Sequence, residues 1–243
     1  MAESLNIMMS DSSMGRNILA IDTVTDVCSI AVFSNGEIYQ ITEKGQKNHS
    51  RKILGMVSKA LSHFNLESRD IDEIVVDIGP GSFTGVRIGL GIAQGLAYAQ
   101  GVKVQEVCSL EVLAQTVGQG LVLPAIDARM GQVYCGLYDV SEARCPELLS
   151  KVVVVDPLNV SVPYGKSFTV IGNGWVVYDK EMRSVIREGC INVASNRFPE
   201  ARYGIEIAAR RTATSAIKPV DLTAFYVRNQ VVQKTVVRPV ESS

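Results

Sequence analysis

Two aspartates in matching settings, one glycine-rich run and two histidines are the residues whose types and spacing could do chemistry. The run Gly79-Pro80-Gly81-Ser82-Phe83-Thr84-Gly85-Val86-Arg87-Ile88-Gly89 follows a stretch rich in β-branched residues, 74–78. A buried strand, a glycine turn and a helix start in that order point several free backbone N–H groups at one place, where an anion could sit. Ser82 or Thr84 can cap the helix. The same pattern also suits a capped strand-to-helix junction with no ligand. The nucleotide loops of defined spacing do not fit. No Gly-Lys-Ser/Thr follows Gly79 or Gly81, and a dinucleotide fingerprint begun at Gly79 needs glycine where Thr84 stands.

Asp22 and Asp127 each follow an Ala-Ile pair at the start of a hairpin pattern. Such an aspartate can help place a metal, or can bond to N–H groups of its own turn. His49 and His63 would lie about 21 Å apart on one straight helix, too far to share a metal. His49 is expected to help cap the helix, and His63 to be solvated or half-buried. No Ser–His–acid or Cys–His set is suggested, so no catalytic and no metal-ligating residue is predicted. The five cysteines, Cys28, Cys108, Cys135, Cys145 and Cys190, form no Cys-x-x-Cys pair. Cys28 and Cys135 fall in apolar strand patterns and are expected in the core.

The 243 residues are 47% hydrophobic and 20% charged, with a formal net charge of -1. This is the make-up of a globular protein without a basic field for strong, direct nucleic-acid binding. Arg202, Arg210 and Arg211 read as a solvated helix face. No apolar run reaches the length of a membrane span, and no signal-peptide core is present. Scattered free cysteines suit a reducing cytoplasm, the expected location. Residues 1–15 are polar and methionine-rich and are expected to be disordered, with Met14 as a second possible start.

The elements that must position these residues follow from periodicity. Strands are predicted over 18–22, 28–33 and 37–43, with Ser34-Asn35-Gly36 as a hairpin turn. A helix over 50–64, capped by Asn48 or Ser50, places Ile53, Leu54, Val57, Leu61 and Phe64 on one face. A second helix over 84–100 carries Gly85 and Gly89, then Gly91 and Gly95, each pair four residues apart. An interior glycine costs about 1 kcal/mol relative to alanine. Such a helix needs close approach by another backbone, from its own sheet or from a partner chain. A strand over 102–107 follows. The second half reads as a helix over 109–117, strands over 121–127, 133–139, 152–155 and 168–171, then helices over 176–187 and 199–212. The tail beyond about 233 is expected to be loose.

The halves repeat one another. Ala20-Ile21-Asp22 matches Ala125-Ile126-Asp127, and Cys28–Phe33 lies over Val133–Tyr138 at the same offset. Ile78-Gly79-Pro80-Gly81 before a helix is echoed by Ile171-Gly172-Asn173-Gly174 before a helix. Two copies of one α/β unit resemble the duplicated actin, sugar-kinase and Hsp70 fold, a ribonuclease H-like fold of two facing lobes. The lobes are expected over 16–107 and 108–217, with 218–243 packing back. In that superfamily the hairpins grip ATP, which makes Asp22, Asp127, Gly172 and Gly174 vestigial cofactor-binding candidates. The turns are poor phosphate loops: residues 22–26 contain no glycine, and Asp26 would repel an anion.

Finally, Ile21-Asp22-Thr23, His49-Ser50, the run from Gly79 to Gly89, Asp127-Ala128-Arg129 with Val133-Tyr134, and Tyr226-Val227-Arg228 resemble the TsaB (YeaZ) family. These are bacterial tRNA threonylcarbamoyladenosine biosynthesis proteins. The resemblance spans about 16–228. Gly55, where the family usually has proline, and the extension before Arg16 depart from it. It implies a non-catalytic scaffold subunit that pairs with a catalytic paralogue, TsaD, and with a P-loop ATPase, TsaE. Their complex adds a threonylcarbamoyl group to N6 of the adenosine next to the anticodon in tRNAs reading codons that begin with A. It also implies no cofactor of the chain's own, ATP and metal belonging to the partners, and tRNA reached only through the complex. The pairing surface is the two first-half helices, with Ile53, Val57, Leu61, Gly85, Gly89, Ile92, Ala93 and Leu96 as contact residues. A homodimer through the same helices is expected when the partner is absent. The alternative from the superfamily is a small-molecule kinase or ATPase.

Overall fold

The computed structural model describes residues 2–6, 15–45, 49–141, 145–163, 165–186, 190–195, 197–211 and 215–227. The first sheet contains β1 (Ala2–Asn6), β2 (Ile18–Asp22), β3 (Val27–Ser34), β4 (Glu37–Lys44), β5 (Glu73–Asp77) and β6 (Lys103–Val107), in the order β1-β4-β3-β2-β5-β6. β2, β3 and β4 form an antiparallel meander, and β5 and β6 join it in parallel. Asn35 and Gly36 turn the β3–β4 hairpin with φ of 51° and 84°, as a tight two-residue turn requires. β2, β3 and β5 are buried along their whole length, because helices cover both faces of the sheet. β1 corrects the expectation of disorder over 1–15: Ala2–Asn6 pairs antiparallel with β4 and closes its edge. Residues 7–14 lie outside the described residues.

α1 (His49–His63) and α2 (Phe83–Gln100) cover one face of this sheet, burying Ile53, Val57, Ala93 and Ala97 against Leu19, Ile21, Ile30 and Val76. Ser82 caps α2, its Oγ accepting the Gly85 N–H, and Gly101 ends it in the left-handed conformation.

The second sheet repeats the plan. β7 (Gly120–Arg129) pairs antiparallel with both β8 (Gln132–Cys135) and β9 (Tyr138–Val140), so the strand expected over 133–139 is interrupted at Gly136 and Leu137. β10 (Glu147–Leu148) lies on β9, and β11 (Val153–Val155) lies on β8. β12 (Phe168–Gly172) runs parallel to β7, and β13 (Cys190–Ser195) parallel to β12. β13 has no counterpart among the strands expected from the sequence. The helix expected over 176–187 is two, α4 (Gly174–Val177) and α5 (Asp179–Val185), divided at Tyr178. Cys28 and Cys135 are core residues as expected.

Two helices cross one another where the halves meet. α3 (Ser109–Gln115) packs Leu110, Leu113 and Ala114 against Val122, Ile126 and Tyr138 of the second sheet. α6 (Ala201–Arg210) packs Ala201, Ile205, Ile207 and Ala208 against Ile18, Ala31, Phe33 and Val75 of the first. The division into 16–107 and 108–217 therefore fails for α6, which follows β13 in the chain but completes the first lobe. Each sheet is apolar on both faces, and the crossing helices supply the missing cover. They are also joined to one another. Gln115 Nε2 donates to Glu206 at 2.9 Å, and the Arg211 guanidinium donates to both oxygens of Glu111 at 2.5 and 2.7 Å. This corrects the reading of Arg202, Arg210 and Arg211 as one solvated face. Only Arg210 is exposed, and Arg202 lies 3.3 Å from Glu200.

The described segment after α6, 215–227, returns to the first lobe. Ile217 and Val104 exchange backbone bonds, Gln94 Nε2 donates to the Pro219 carbonyl at 3.0 Å, Leu222 enters the first core, and the Phe225 N–H donates to the Ile78 carbonyl. Residues 228–243, including Arg228 and the tail beyond 233, lie outside the described residues.

Candidate functional site

A cleft of about 280 Å³ lies between the lobes, walled by the β2–β3 turn, Pro80 to Phe83, Ile126 to Arg129, Asn173 and Phe225 to Val227. The glycine-rich run forms one side, but its glycines face inward. A Cβ at Gly81 would overlap the Val24 carbonyl, one at Gly85 the Thr23 carbonyl, and one at Gly89 the Thr23 hydroxyl. The Ser82 N–H donates to the Val24 carbonyl at 2.6 Å, and Thr23 Oγ1 donates to the Gly85 carbonyl at 2.7 Å. The run thus seats the start of α2 on the β2–β3 turn. Gly85 and Gly89 are spent on this contact and are not surface residues for a partner, a correction to their expected role.

The aspartates are not brought together. Asp127 lines the cleft, whereas Asp22 is turned to the opposite side of its sheet, toward Glu200 and Gly204 beside α6. Both make the same local bond. Asp22 Oδ1 accepts the Val24 N–H at 3.3 Å, and Asp127 Oδ1 accepts the Arg129 N–H at 2.8 Å, each two residues on. Asp127 also receives the Tyr178 hydroxyl at 3.0 Å and Arg129 Nη1 at 3.1 Å. Asp22 neighbours Asp77, which accepts the Gly79 N–H at 2.8 Å and the Ser109 hydroxyl at 2.7 Å. Burial pushes Asp22 up to about 7, and burial together with the Asp22 charge pushes Asp77 well above the usual carboxylate range.

The cleft residues do not fit the phosphates of a nucleotide. The Ser82 N–H is already bonded, the one arginine among the lining residues, Arg129, is taken up by Asp26 at 3.5 Å and Asp127 at 3.1 Å, and Gly172 and Gly174 pack closely on Ala125. A Cβ at either glycine would crowd the Ala125 backbone. Asp22, Asp127, Gly172 and Gly174 therefore do not assemble one cofactor site.

A second feature is the outer surface of α1 and α2. A groove between them is lined by Leu54, Val57, Ser58, Leu61, Ser62 and Leu96, among others. Ile53 and Ala93 are fully buried, and Val57 and Leu61 are 3% and 2% exposed on the groove floor, so these four mainly hold the core. Ile92 and Leu96 are half-buried at its edge. Leu54, Gly55, Gly91, Gly95 and Tyr98 are exposed, with Leu54 57% and Tyr98 84% exposed, beside the exposed polar residues Lys52, Ser58, Lys59 and Ser62. A Cβ at Gly55, Gly91 or Gly95 would meet nothing within 4 Å. The sequence analysis placed Leu54 on the buried face. Its neighbours Lys52, Gly55 and Ser58 carried the signal that it points outward. Also missed was an aromatic and cationic cluster at the cleft mouth, where the Arg87 guanidinium lies 3.2 Å from the Phe83 ring centroid and 5.2 Å from that of Tyr226. His63 stacks on Tyr39, with ring centroids 3.9 Å apart.

Among the described residues no helix is long and apolar enough to cross a membrane. Residues 37–201 match the family model described as TsaD, tRNA N6-adenosine threonylcarbamoyltransferase. The chain is 31% identical over 230 residues to the tRNA threonylcarbamoyladenosine biosynthesis protein TsaB of Haemophilus influenzae, covering 89% of this chain and 95% of the relative. It is 34% identical over 228 residues to TsaB of Escherichia coli, covering 89% and 96%. Its fold superposes on the solved structure of YeaZ from Pseudomonas aeruginosa with a TM-score of 0.80 and 30% identity, over 87% of this chain and 99% of that one.

Proposed function

The chain belongs to the TsaB family of tRNA threonylcarbamoyladenosine biosynthesis proteins, and from that premise we propose that it is a non-catalytic scaffold subunit of the tRNA-modifying complex. It pairs through α1 and α2 with the catalytic paralogue of TsaD type, and the pair engages a P-loop ATPase of TsaE type. ATP, metal and tRNA are handled by the assembled complex rather than by this chain alone.

The observation that carries this reading is the outer face of α1 and α2. Leu54 and Tyr98 are large apolar side chains left exposed, and Gly55, Gly91 and Gly95 leave a smooth backbone between them. Interior helix glycines that meet nothing in their own chain cost stability without return unless another backbone approaches. A cleft poorly suited to phosphates is consistent with the same reading.

Gly95→Trp and Gly91→Trp test it. Each variant is expected to keep its fold, judged by circular dichroism and denaturation midpoint, yet to lose co-purification with the paralogue. Unchanged co-purification would overturn the assignment of the surface. Deleting the gene should remove threonylcarbamoyladenosine from total tRNA, and the Gly95→Trp variant should fail to restore it. Titration calorimetry of the isolated chain with Mg-ATP is expected to give no saturable heat, whereas tight binding would favour a kinase or ATPase. Light scattering over a concentration series should show a dimer that Gly95→Trp dissociates.

A further inference from the structure

Asp22 and Asp77 close adjacent parallel strands, one residue beyond the Ile21–Val76 pair in the β2–β5 register. They are 1% and 2% exposed. In each, Oδ1 accepts from donors of the chain, while Oδ2 is buried without a hydrogen-bond partner. A buried carboxylate left in that state is costly, and neither residue has a cation acting on it. The titratable groups that interact electrostatically with the pair are Glu200 ahead of α6, Cys28 on β3, Cys108 at the head of α3 and Tyr138 on β9, and the Ser109 hydroxyl bonds Asp77 directly. Glu200 is itself compensated by Gln40 at 2.7 Å and Arg202 at 3.3 Å.

The occupant of this place can be narrowed. The void beside the pair, bounded by Val107, Glu200, Ala201 and Gly204, has no room for a water. Among the described residues no group of three or more acidic, histidine or cysteine ligands could hold a metal ion. A proton remains. Asp77 has both donors on Oδ1, so its Oδ2 is free to carry the proton and donate to Asp22 Oδ2.

We propose that one proton held between Asp22 and Asp77 clasps the β2–β3 turn to the Gly79–Ser82 loop, and that its loss at alkaline pH loosens the seat of α2. The link to α2 is short. Asp22 bonds to Val24, whose carbonyl takes the Ser82 N–H, and Ser82 caps the helix. Asp77 bonds to Gly79 at the start of the same loop. With both carboxylates charged in one dry place, the two loops repel each other.

The direction of the pH effect follows from linkage. Both groups are raised on folding, so the stability they carry is complete below the unfolded carboxylate range near pH 4 and is lost as the pH rises. Above about pH 7 the proton still shared by the pair makes the unfolding constant rise further with pH, by at most about tenfold per pH unit. Asp77→Asn keeps the Oδ1 acceptor and replaces the acidic proton with an amide N–H that does not dissociate. Urea denaturation from about pH 7.5 to 9.5 should therefore give a steeper fall in stability with pH in the wild-type chain than in Asp77→Asn, by up to about tenfold in the unfolding constant per pH unit. Exchange of the Ser82 amide, corrected for its intrinsic pH dependence, should lose protection over that range in the wild type only. Infrared difference spectra at about pH 7.5 should show a protonated carboxyl band in the wild type that Asp77→Asn lacks. Equal slopes, or no protonated carboxyl in the wild type, would overturn the proposal. The infrared measurement on the unmutated chain decides the matter if the variant does not fold.

Discussion

In the first half, Ile78-Gly79-Pro80-Gly81 launches α2, 18 residues long; in the second, Ile171-Gly172-Asn173-Gly174 launches α4, four residues long. Both loops leave the second of two parallel-paired strands, and both run beside a turn that opens with an aspartate bonded two residues on. The difference lies in where the next side chains go. Gly85 and Gly89 let α2 run straight past Thr23, leaving its far side open. After Gly174, Trp175 is buried with Nε1 donating to the Leu123 carbonyl, and Tyr178 turns its hydroxyl to Asp127, where the helix breaks. One copy of the unit presents a helix outward, and the other folds its helix into the cleft wall. The comparison teaches that duplication supplied the scaffold, and that a few side chains after each glycine pair decided which half carries a helical surface.

The sharpest way to break this view of two interlocked halves is through the crossing helices. Leu113→Ala on α3 and Ile205→Ala on α6, both fully buried, should each cost about 3 kcal/mol. Each should lower a single cooperative transition in chemical denaturation. Two separated transitions would show that the halves do not depend on each other's helix. Next in size are Gly85→Ala and Gly172→Ala, expected to cost about 2–3 kcal/mol each because a Cβ meets a carbonyl that cannot move freely. Gly172 has φ of 109° and should be the worse of the two. Tyr178→Phe, which removes one of several donors to Asp127, should cost about 1 kcal/mol and leave α2 untouched. Smallest in stability is Gly95→Trp, expected within about 0.5 kcal/mol of the parent while abolishing association. A large stability loss there would mean that the outer face of α2 already serves its own fold.

Much of this was legible in the chain. The three-strand meander, the glycine-rich junction and the duplication all follow from local patterns. The aspartates' bonds to their own turns were among the readings available, because an aspartate at a turn finds an N–H two residues on. Other features were not legible. The four-apart glycines signalled close backbone approach, but not which pair meets which neighbour. Gly85 and Gly89 meet Thr23, whereas Gly91 and Gly95 meet nothing in this chain. Leu54 was placed with the buried face because a leucine one position from Ile53 fits a wide apolar stripe equally well. The Asp22–Asp77 pair was missed because its partners are 55 residues apart in the chain and adjacent only through the parallel pairing of β2 with β5.

By itself, the sequence determined the repeat of one α/β unit and the family to which the chain belongs. The repeat rests on hydrophobic period and turn chemistry, and the family on the resemblance of short motifs such as the run from Gly79 to Gly89, all of which span a few residues. Only the tertiary structure decided that α6, which follows the second sheet in the chain, covers the first. It also decided that Asp22 faces away from the cleft beside Asp77, and that the open face of α2 lies at Gly91 and Gly95 rather than at Gly85 and Gly89. Such choices depend on which distant surfaces remain uncovered once every strand is paired, and no local pattern carries that information.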